Sequence, residues 1–185
     1  MGLATFIGGI HPFEGKELSE DKPIKYLEPL QGEVMVYPLS QHIGAPAKPL
    51  VAKGDHVLKG QIIAEAGGFI SANVLSSVSG TVKGIESKLV ANGAMVQSIL
   101  VENDGEEEAI EGFGTDRDAS KLSKEEIRQI VKDAGIVGLG GAGFPTNVKL
   151  SPKNEDAIEY ILINGAECEP VSYTHLRAHE TSLHL

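Results

Sequence analysis

The chain has 185 residues, with 26 acidic against 16 basic side chains, a formal charge of −10 and a pI near 5.0. That length allows one well-cored domain or two small ones, and the acidic balance argues against partners that hold a protein through phosphate charge, nucleic acid and anionic lipid alike. The one cysteine, Cys168, can form no internal disulfide and supplies only one of the four thiolates an iron–sulfur cluster normally needs.

The start, Met1-Gly2-Leu3-Ala4-Thr5-Phe6, lacks the basic and apolar regions of a secretory signal. No apolar run approaches the roughly 20 residues that span a bilayer. The expectation is a protein of the cell interior with no direct membrane insertion.

From Gln31 to Val101 the chain reads as short β-prone runs cut by Gly, Pro and Asn: Glu33 to Tyr37, Gln61 to Ala64, Gly80 to Ile85 and Met95 to Val101. This spacing predicts a small, turn-rich all-β unit. Glu102 to Ser120 holds eight acidic residues against one Arg, with Gly105, Gly112 and Gly114 among them, which predicts a solvated linker or surface loop.

Ser123 with Glu126 three residues on forms a capping box, and Ile127, Ile130, Val131 and Ala134 follow at helical spacing. Gly135 stands where a helix ends. A glycine-rich loop runs from Gly138 to Pro145, and Tyr160-Ile161-Leu162-Ile163 reads as a short buried strand. Helix, loop and strand in this order predict the beginning of an α/β domain.

The stretch from Val171 to Leu185 holds three of the six histidines and no coherent period. It resembles a spurious translation of sequencing-adaptor DNA, and the natural sequence is expected to end at Pro170. The expected organisation is a β-rich unit over 1–101, an acidic linker over 102–120, the start of an α/β domain over 121–170 and a non-native tail over 171–185. The fold class is therefore mixed β and α/β.

Val51 to Ala64, with its Gly54-Asp55 turn, and Asn73 to Val82, with its Ser79-Gly80 turn, resemble the two halves of a biotinyl/lipoyl-type flattened barrel. In carrier proteins of that type a lysine on the hairpin before the second half takes the prosthetic group. Here the hairpin reads Gly67-Gly68-Phe69-Ile70-Ser71-Ala72 and offers no such nitrogen. A structural barrel-sandwich hybrid, without covalent biotin or lipoate, is the better reading.

Gly138-x-Gly140-x-x-Gly143 formally matches a dinucleotide fingerprint, but that fingerprint follows a strand and opens a helix, whereas this one follows a helix. A plain tight turn is the default reading of a few glycines. Yet four glycines in six positions leave backbone N–H groups unscreened, the surface that phosphate or a flat ring needs for close approach. No Gly-Lys-Ser/Thr follows, so this is not a Walker A loop.

Gly138-Leu139-Gly140-Gly141-Ala142-Gly143-Phe144-Pro145-Thr146-Asn147-Val148-Lys149 and Ile163-Asn164-Gly165-Ala166-Glu167-Cys168-Glu169-Pro170 resemble the paired FMN and NADH motifs of the complex I flavoprotein subunit and its relatives. Gly8-Gly9-Ile10-His11-Pro12 and Pro38 to Ala47 narrow the resemblance to the RnfC family, over Phe6 to Pro170. The resemblance implies an N-terminal barrel-sandwich hybrid followed by the truncated start of an α/β FMN/NADH-binding domain. It implies a subunit of a membrane-associated, ion-translocating ferredoxin:NAD oxidoreductase, the Rnf complex, peripheral on the cytoplasmic face and partnered by the other Rnf subunits and NADH.

Residue by residue, the resemblance sets Gly138, Gly140 and Gly141 against FMN, with Lys149 adding charge to the phosphate. Asn164 and Glu167 would hydrogen-bond the flavin, while Phe144 would stack on NADH and Glu169 would accept from its hydroxyls. The bland alternatives are an exposed lysine, a capped strand end and a core aromatic. No side chain is expected to be catalytic, because the flavin carries the redox chemistry. Two 4Fe–4S clusters are expected only in a C-terminal part that this chain lacks, and the chain by itself is expected to be inactive.

Cys168 reads as a packed thiol. His11 and His42 have no partner at metal spacing, so no metal is assigned and backbone hydrogen bonding is expected instead. Rival readings are a cobalamin reductase-like flavoprotein of a microcompartment, the A subunit of a sodium-pumping quinone reductase, and a non-enzymatic barrel-sandwich binding module.

Overall fold

A computed structural model of the chain describes residues 21–23, 27–139, 142–160 and 162. The chain divides into a unit of Glu28–Glu159 and a second unit of residues 1–27 with 160–185. The first unit carries all the regular structure described below.

Seven strands form in chain order: β1 (Val34–Pro38), β2 (Lys48–Pro49), β3 (His56–Val57), β4 (Ile62–Glu65), β5 (Val74–Leu75), β6 (Gly80–Leu89) and β7 (Met95–Asn103). They make a four-stranded sheet in the order β1-β7-β6-β3 and a three-stranded sheet in the order β2-β4-β5, and every named pair is antiparallel. All four predicted β-runs are strands, and β6 and β7 run on past the predicted ends into a long hairpin. β7 pairs with β1 from Ser98 to Glu102 and with β6 from Gly80↔Asn103 to Leu89↔Met95.

The two sheets close on a core of Tyr37, Leu39, Val57, Ile63, Val74, Val78, Val82, Ile99 and Val101, among others. Val57, Ile63, Ile99 and Val101 are fully buried, each contributing roughly 1.5–3 kcal/mol by leaving water. Alternation explains the choice: Met35↔Val101 and Val101↔Val82 share one face, while Val34↔Glu102 and Glu102↔Thr81 share the other, where water covers them. The buried Tyr37 hydroxyl accepts the Ser77 N–H at 3.0 Å and contacts the Ser77 hydroxyl at 2.9 Å, so the polar tip of this core aromatic is satisfied.

The first residues of the acidic segment, Glu102 and Asn103, belong to β7, while 105–120 are exposed yet fastened to the barrel. Lys59 N–H donates to the Glu108 carbonyl at 2.9 Å and Ile110 N–H to the Lys59 carbonyl at 3.0 Å. Ser79, fully buried, donates to Asp104 Oδ1 at 2.6 Å and accepts the Glu108 N–H at 3.1 Å. His56 Nε2 meets the other Asp104 oxygen at 2.9 Å. The eight carboxylates read as a linker therefore include one that anchors the strap at the end of β7.

Beyond the strap, helix α1 (Lys124–Asp133) begins with the predicted capping box: Glu126 N–H donates to the Ser123 hydroxyl, and Ser123 N–H donates to the Glu126 carboxylate. Ala134 caps its end, and Gly135 follows with φ +62°, the left-handed position that favours glycine. The apolar stripe Ile127, Ile130 and Val131 is half-buried, and Ala134 is exposed. Glu155, in a short 3₁₀ turn, receives both Lys124 at 2.7 Å and Arg128 at 2.8 Å.

The predicted buried strand at Tyr160 to Ile163 is corrected where it can be seen. Tyr160 and Leu162 are 81% and 94% exposed and belong to no strand, while Ile161 and Ile163 lie outside the described residues. An apolar run becomes a buried strand only when neighbours pair its edges and layers cover its faces.

The Ser79 hydroxyl is the first cause holding the Asp104 carboxyl below its ordinary range; burial opposes it, and the Glu106 N–H and His56 assist. A carboxyl depressed in the folded state stabilises above its unfolded pKa of about 3.9, and that stability is lost as pH falls through the lower folded value. Ser79→Ala should therefore lower stability near neutral pH by about 1–3 kcal/mol and shrink the loss seen on acidification below about pH 4. Melting temperatures across the acid range up to neutrality for both proteins check this, and parallel curves would show that Ser79 does not set the Asp104 charge.

Candidate functional site

The glycine loop is closed at its base by an antiparallel bridge between Val137 and Pro145, with Gly138 N–H donating to the Phe144 carbonyl at 2.9 Å and Thr146 N–H donating to the Ile136 carbonyl at 2.9 Å. Pro145 is fully buried, Phe144 is half-buried, and Leu139 at the loop's rise is wholly exposed. The short helix α2 (Thr146–Lys149) follows directly and carries Lys149 back toward the loop.

Lys149 and Gly138 are brought together. A Cβ built on Gly138 would lie 2.7 Å from the Lys149 ammonium, so the missing side chain is what lets the charge approach the loop backbone. Lys149 makes no ion pair with another described residue. The Gly138 amide, however, is committed to Phe144. Gly138 thus contributes space rather than a donor, and amide donors for an anion would have to come from farther along the loop.

Gly140 and Gly141 lie outside the described residues, as do Asn164, Glu167, Cys168, Glu169 and His11. Phe144 keeps one half-exposed ring beside the loop while its backbone carbonyl serves the bridge. Among the described residues no group of three or more His, Cys, Asp or Glu side chains could hold a metal ion. His42 is hydrogen-bonded to backbone, as expected of it: Nε2 accepts the Ala72 N–H at 3.1 Å and Nδ1 faces the Ile43 carbonyl at 3.0 Å.

The sequence alone did not show how the loop is held. Ile43 N–H donates to the Ala142 carbonyl at 2.9 Å, and Gly143 (φ +55°) lies against Gln41 and His42. An open groove of about 660 Å³ runs between this contact and the β6–β7 turn, lined by Ser40, Gln41, Ile43, Val90, Asn92 and Ala142. On the other side, α1 docks on the barrel through Asn73, whose amide donates to the Lys132 carbonyl at 3.3 Å and whose oxygen accepts the Ala66 N–H at 3.0 Å. Gly135 sits directly over the Asn73 carbonyl, where a Cβ would collide. No local pattern announces these contacts, although the glycines at 135 and 143 mark where two backbones approach.

The barrel and the glycine loop define a class: a barrel-sandwich hybrid joined to a flavin-binding region. Residues 4–106 match the RnfC barrel sandwich hybrid domain and residues 131–185 match the Nuo51 FMN-binding domain. The chain belongs to the RnfC family. It is 44% identical over 168 residues to the C subunit of the proton-translocating ferredoxin:NAD(+) oxidoreductase complex of Clostridium ljungdahlii, covering 91% of this chain and 36% of that protein. It is 43% identical over 169 residues to the Na(+)-translocating counterpart of Acetobacterium woodii (90% and 37%), and 41% identical over 165 residues to the C subunit of the ion-translocating oxidoreductase complex of Rhodobacter capsulatus (88% and 31%). The chain spans about a third of the length of these curated relatives.

Asn73→Ala removes the side-chain bond from the hairpin to the Lys132 carbonyl of α1 and, within the barrel, the acceptor of the Ala66 N–H. It should cost about 1–3 kcal/mol and raise amide exchange in residues 124–135 and locally at Ala66, with the rest of the barrel unchanged. Hydrogen-exchange mass spectrometry checks this, and a uniform rise across barrel and helix would show that Asn73 supports the whole unit instead.

Proposed function

We propose that this chain supplies the barrel and the first flavin loop of the NADH- and FMN-binding electron-transfer subunit of an ion-translocating ferredoxin:NAD oxidoreductase complex. The observation that carries the reading is the Lys149 ammonium set over Gly138, inside the segment that matches an FMN-binding domain. A lysine charge beside a side-chain-free backbone gives a phosphate monoester a cation and room to approach, with amide donors to come from farther along the loop, and in a chain of charge −10 such an anion needs local compensation. The residues present fit FMN on those grounds.

Bound FMN would supply hydride acceptance from NADH and release of the electrons one at a time. Lys149 would hold the phosphate, Gly140 and Gly141 would let the loop backbone approach the cofactor, and Asn164 and Glu167 would hydrogen-bond the flavin. Phe144 and Glu169 would orient NADH, through ring stacking and through acceptance from hydroxyls respectively. Two 4Fe–4S clusters would be ligated outside this span of 185 residues, which holds one cysteine.

Partners would be the other subunits of the complex, since this chain's relatives are named as subunits of ferredoxin:NAD(+) oxidoreductase complexes. No described helix is long and apolar enough to cross a membrane; attachment at the cytoplasmic face would run through the partner subunits.

In the full-length subunit, Lys149→Ala should weaken FMN binding by about 1.5–3 kcal/mol, the range for a charge-assisted bond, with little change in melting temperature because Lys149 is exposed. Gly138→Ala should weaken it too, by pushing the ammonium off the loop. Flavin titration followed by fluorescence reads both. Unchanged affinity in Lys149→Ala would remove the phosphate role.

A further inference from the structure

The lysine-free hairpin of the barrel is locked rather than left to swing. Ala45 N–H donates to the Ile70 carbonyl at 3.0 Å, the buried Ser71 hydroxyl donates to the Ala45 carbonyl at 2.8 Å, and Gly67 N–H donates to the same hydroxyl at 2.9 Å. The two backbones are so close that a Cβ on Gly44 would run into the Ile70 carbonyl, and one on Gly67 into the Pro46 carbonyl. The partner that locks the hairpin is therefore the loop after β1, residues 40–46, and the same loop holds the glycine loop on its other side.

His42 stands between the two contacts. Nε2 accepts the Ala72 N–H at the hairpin's end, so the ring proton is on Nδ1, which faces the Ile43 carbonyl. The next amide, Ile43 N–H, donates to the Ala142 carbonyl of the glycine loop at 2.9 Å. A Cβ on Gly143 would lie 3.2 Å from the His42 Cα, so the glycine loop also rests on the His42 backbone. His42 lines both hollows beside this junction, the groove of about 660 Å³ and a smaller one of about 240 Å³ under Asn73 and Gly135.

We infer that His42 is a positioning residue for the flavin loop, transmitting the fixed geometry of the barrel hairpin to Ala142 and Gly143 through its bond to Ala72 and the adjacent Ile43 amide. This rests on the assignment of the glycine loop to FMN. It gives the barrel a role in the family's chemistry other than carrying a prosthetic group: it is the rigid wall against which the loop is set. Without the imidazole acceptor the Ala72 N–H loses its partner, the 40–46 loop loses one of its ties, and the glycine loop samples positions that do not bind the cofactor.

The test is made on the full-length subunit with His42→Ala, His42→Gln and Lys149→Ala compared. His42→Ala should weaken FMN binding about tenfold or more, within the usual span of coupling between sites. His42→Gln, whose amide oxygen can accept the Ala72 N–H, should restore most of the affinity. In the unsubstituted protein, FMN should slow amide exchange at Ile43 and Ala72, and His42→Ala should abolish that response.

If Lys149→Ala weakens binding while His42→Ala does not, the positioning role is overturned and the flavin assignment stands. If neither matters, both fall. Equal loss in the Ala and Gln variants overturns the acceptor role. Should His42→Ala fail to fold, the exchange experiment on the unsubstituted protein decides, since no FMN response at Ile43 and Ala72 overturns the inference.

Discussion

Strand β7 carries the rest of the structure because it is paired on both edges and buried along its middle: β1 on one side, β6 on the other, and Ile99 and Val101 at zero exposure between the sheets. Its last residue, the buried Asn103, extends the constraint past the ladder by donating to the Pro29 and Leu30 carbonyls, which fixes where the chain enters β1. One residue later Asp104 begins the strap that returns to Ser79, at the turn into β6. Entry, ladder and exit are thus tied to one strand, and a shift of register by one residue would turn Ile99 and Val101 outward and undo all three.

The barrel's architecture is that of a carrier module, but its hairpin lacks the lysine and is bound by three hydrogen bonds to the loop after β1. A swinging arm needs a free tip; a wall needs a fixed one. The observed bonding is of the second kind, and the loop after β1 connects the hairpin to the glycine loop through Ile43 and Gly143. On the proposed flavin reading, that connection would give a physical reason for a barrel-sandwich hybrid to stand directly before the glycine loop in one chain.

Charge is handled by a few placed groups rather than by many pairs. Three of the seven ion pairs among the described residues, Lys83–Glu102, Lys88–Glu86 and Lys121–Asp118, join two exposed side chains, and such pairs contribute little each. Two placements matter more: the Asp104 carboxylate, held by the buried Ser79, and the Lys149 ammonium, whose access to the loop depends on the absence of a side chain at position 138. In an acidic protein, a cation beside glycine backbone is where an anionic ligand meets least opposition.

Much of the fold was legible in the residues because it depends on near neighbours. Short β-prone runs bounded by Gly, Pro and Asn marked β1, β4, β6 and β7; Ser123 with Glu126 marked the start of α1, and Gly135 its end. The glycine loop and Lys149 were legible as candidates, since residue type alone tells which backbone is bare and which side chain is charged. What only the tertiary structure decided is which groups meet: the Gly138 amide with Phe144 and its open side with Lys149, His42 with Ala72 thirty positions on, Lys59 with Glu108, and Ser79 with Asp104. It also decided that Tyr160 and Leu162 stay exposed, because an apolar run states only a preference for burial and the neighbours that grant it come from elsewhere in space. Local propensity acts through a residue's own backbone and the next turn, whereas a hydrogen bond between distant segments exists only once the packed core has brought their backbones within about 3 Å of each other.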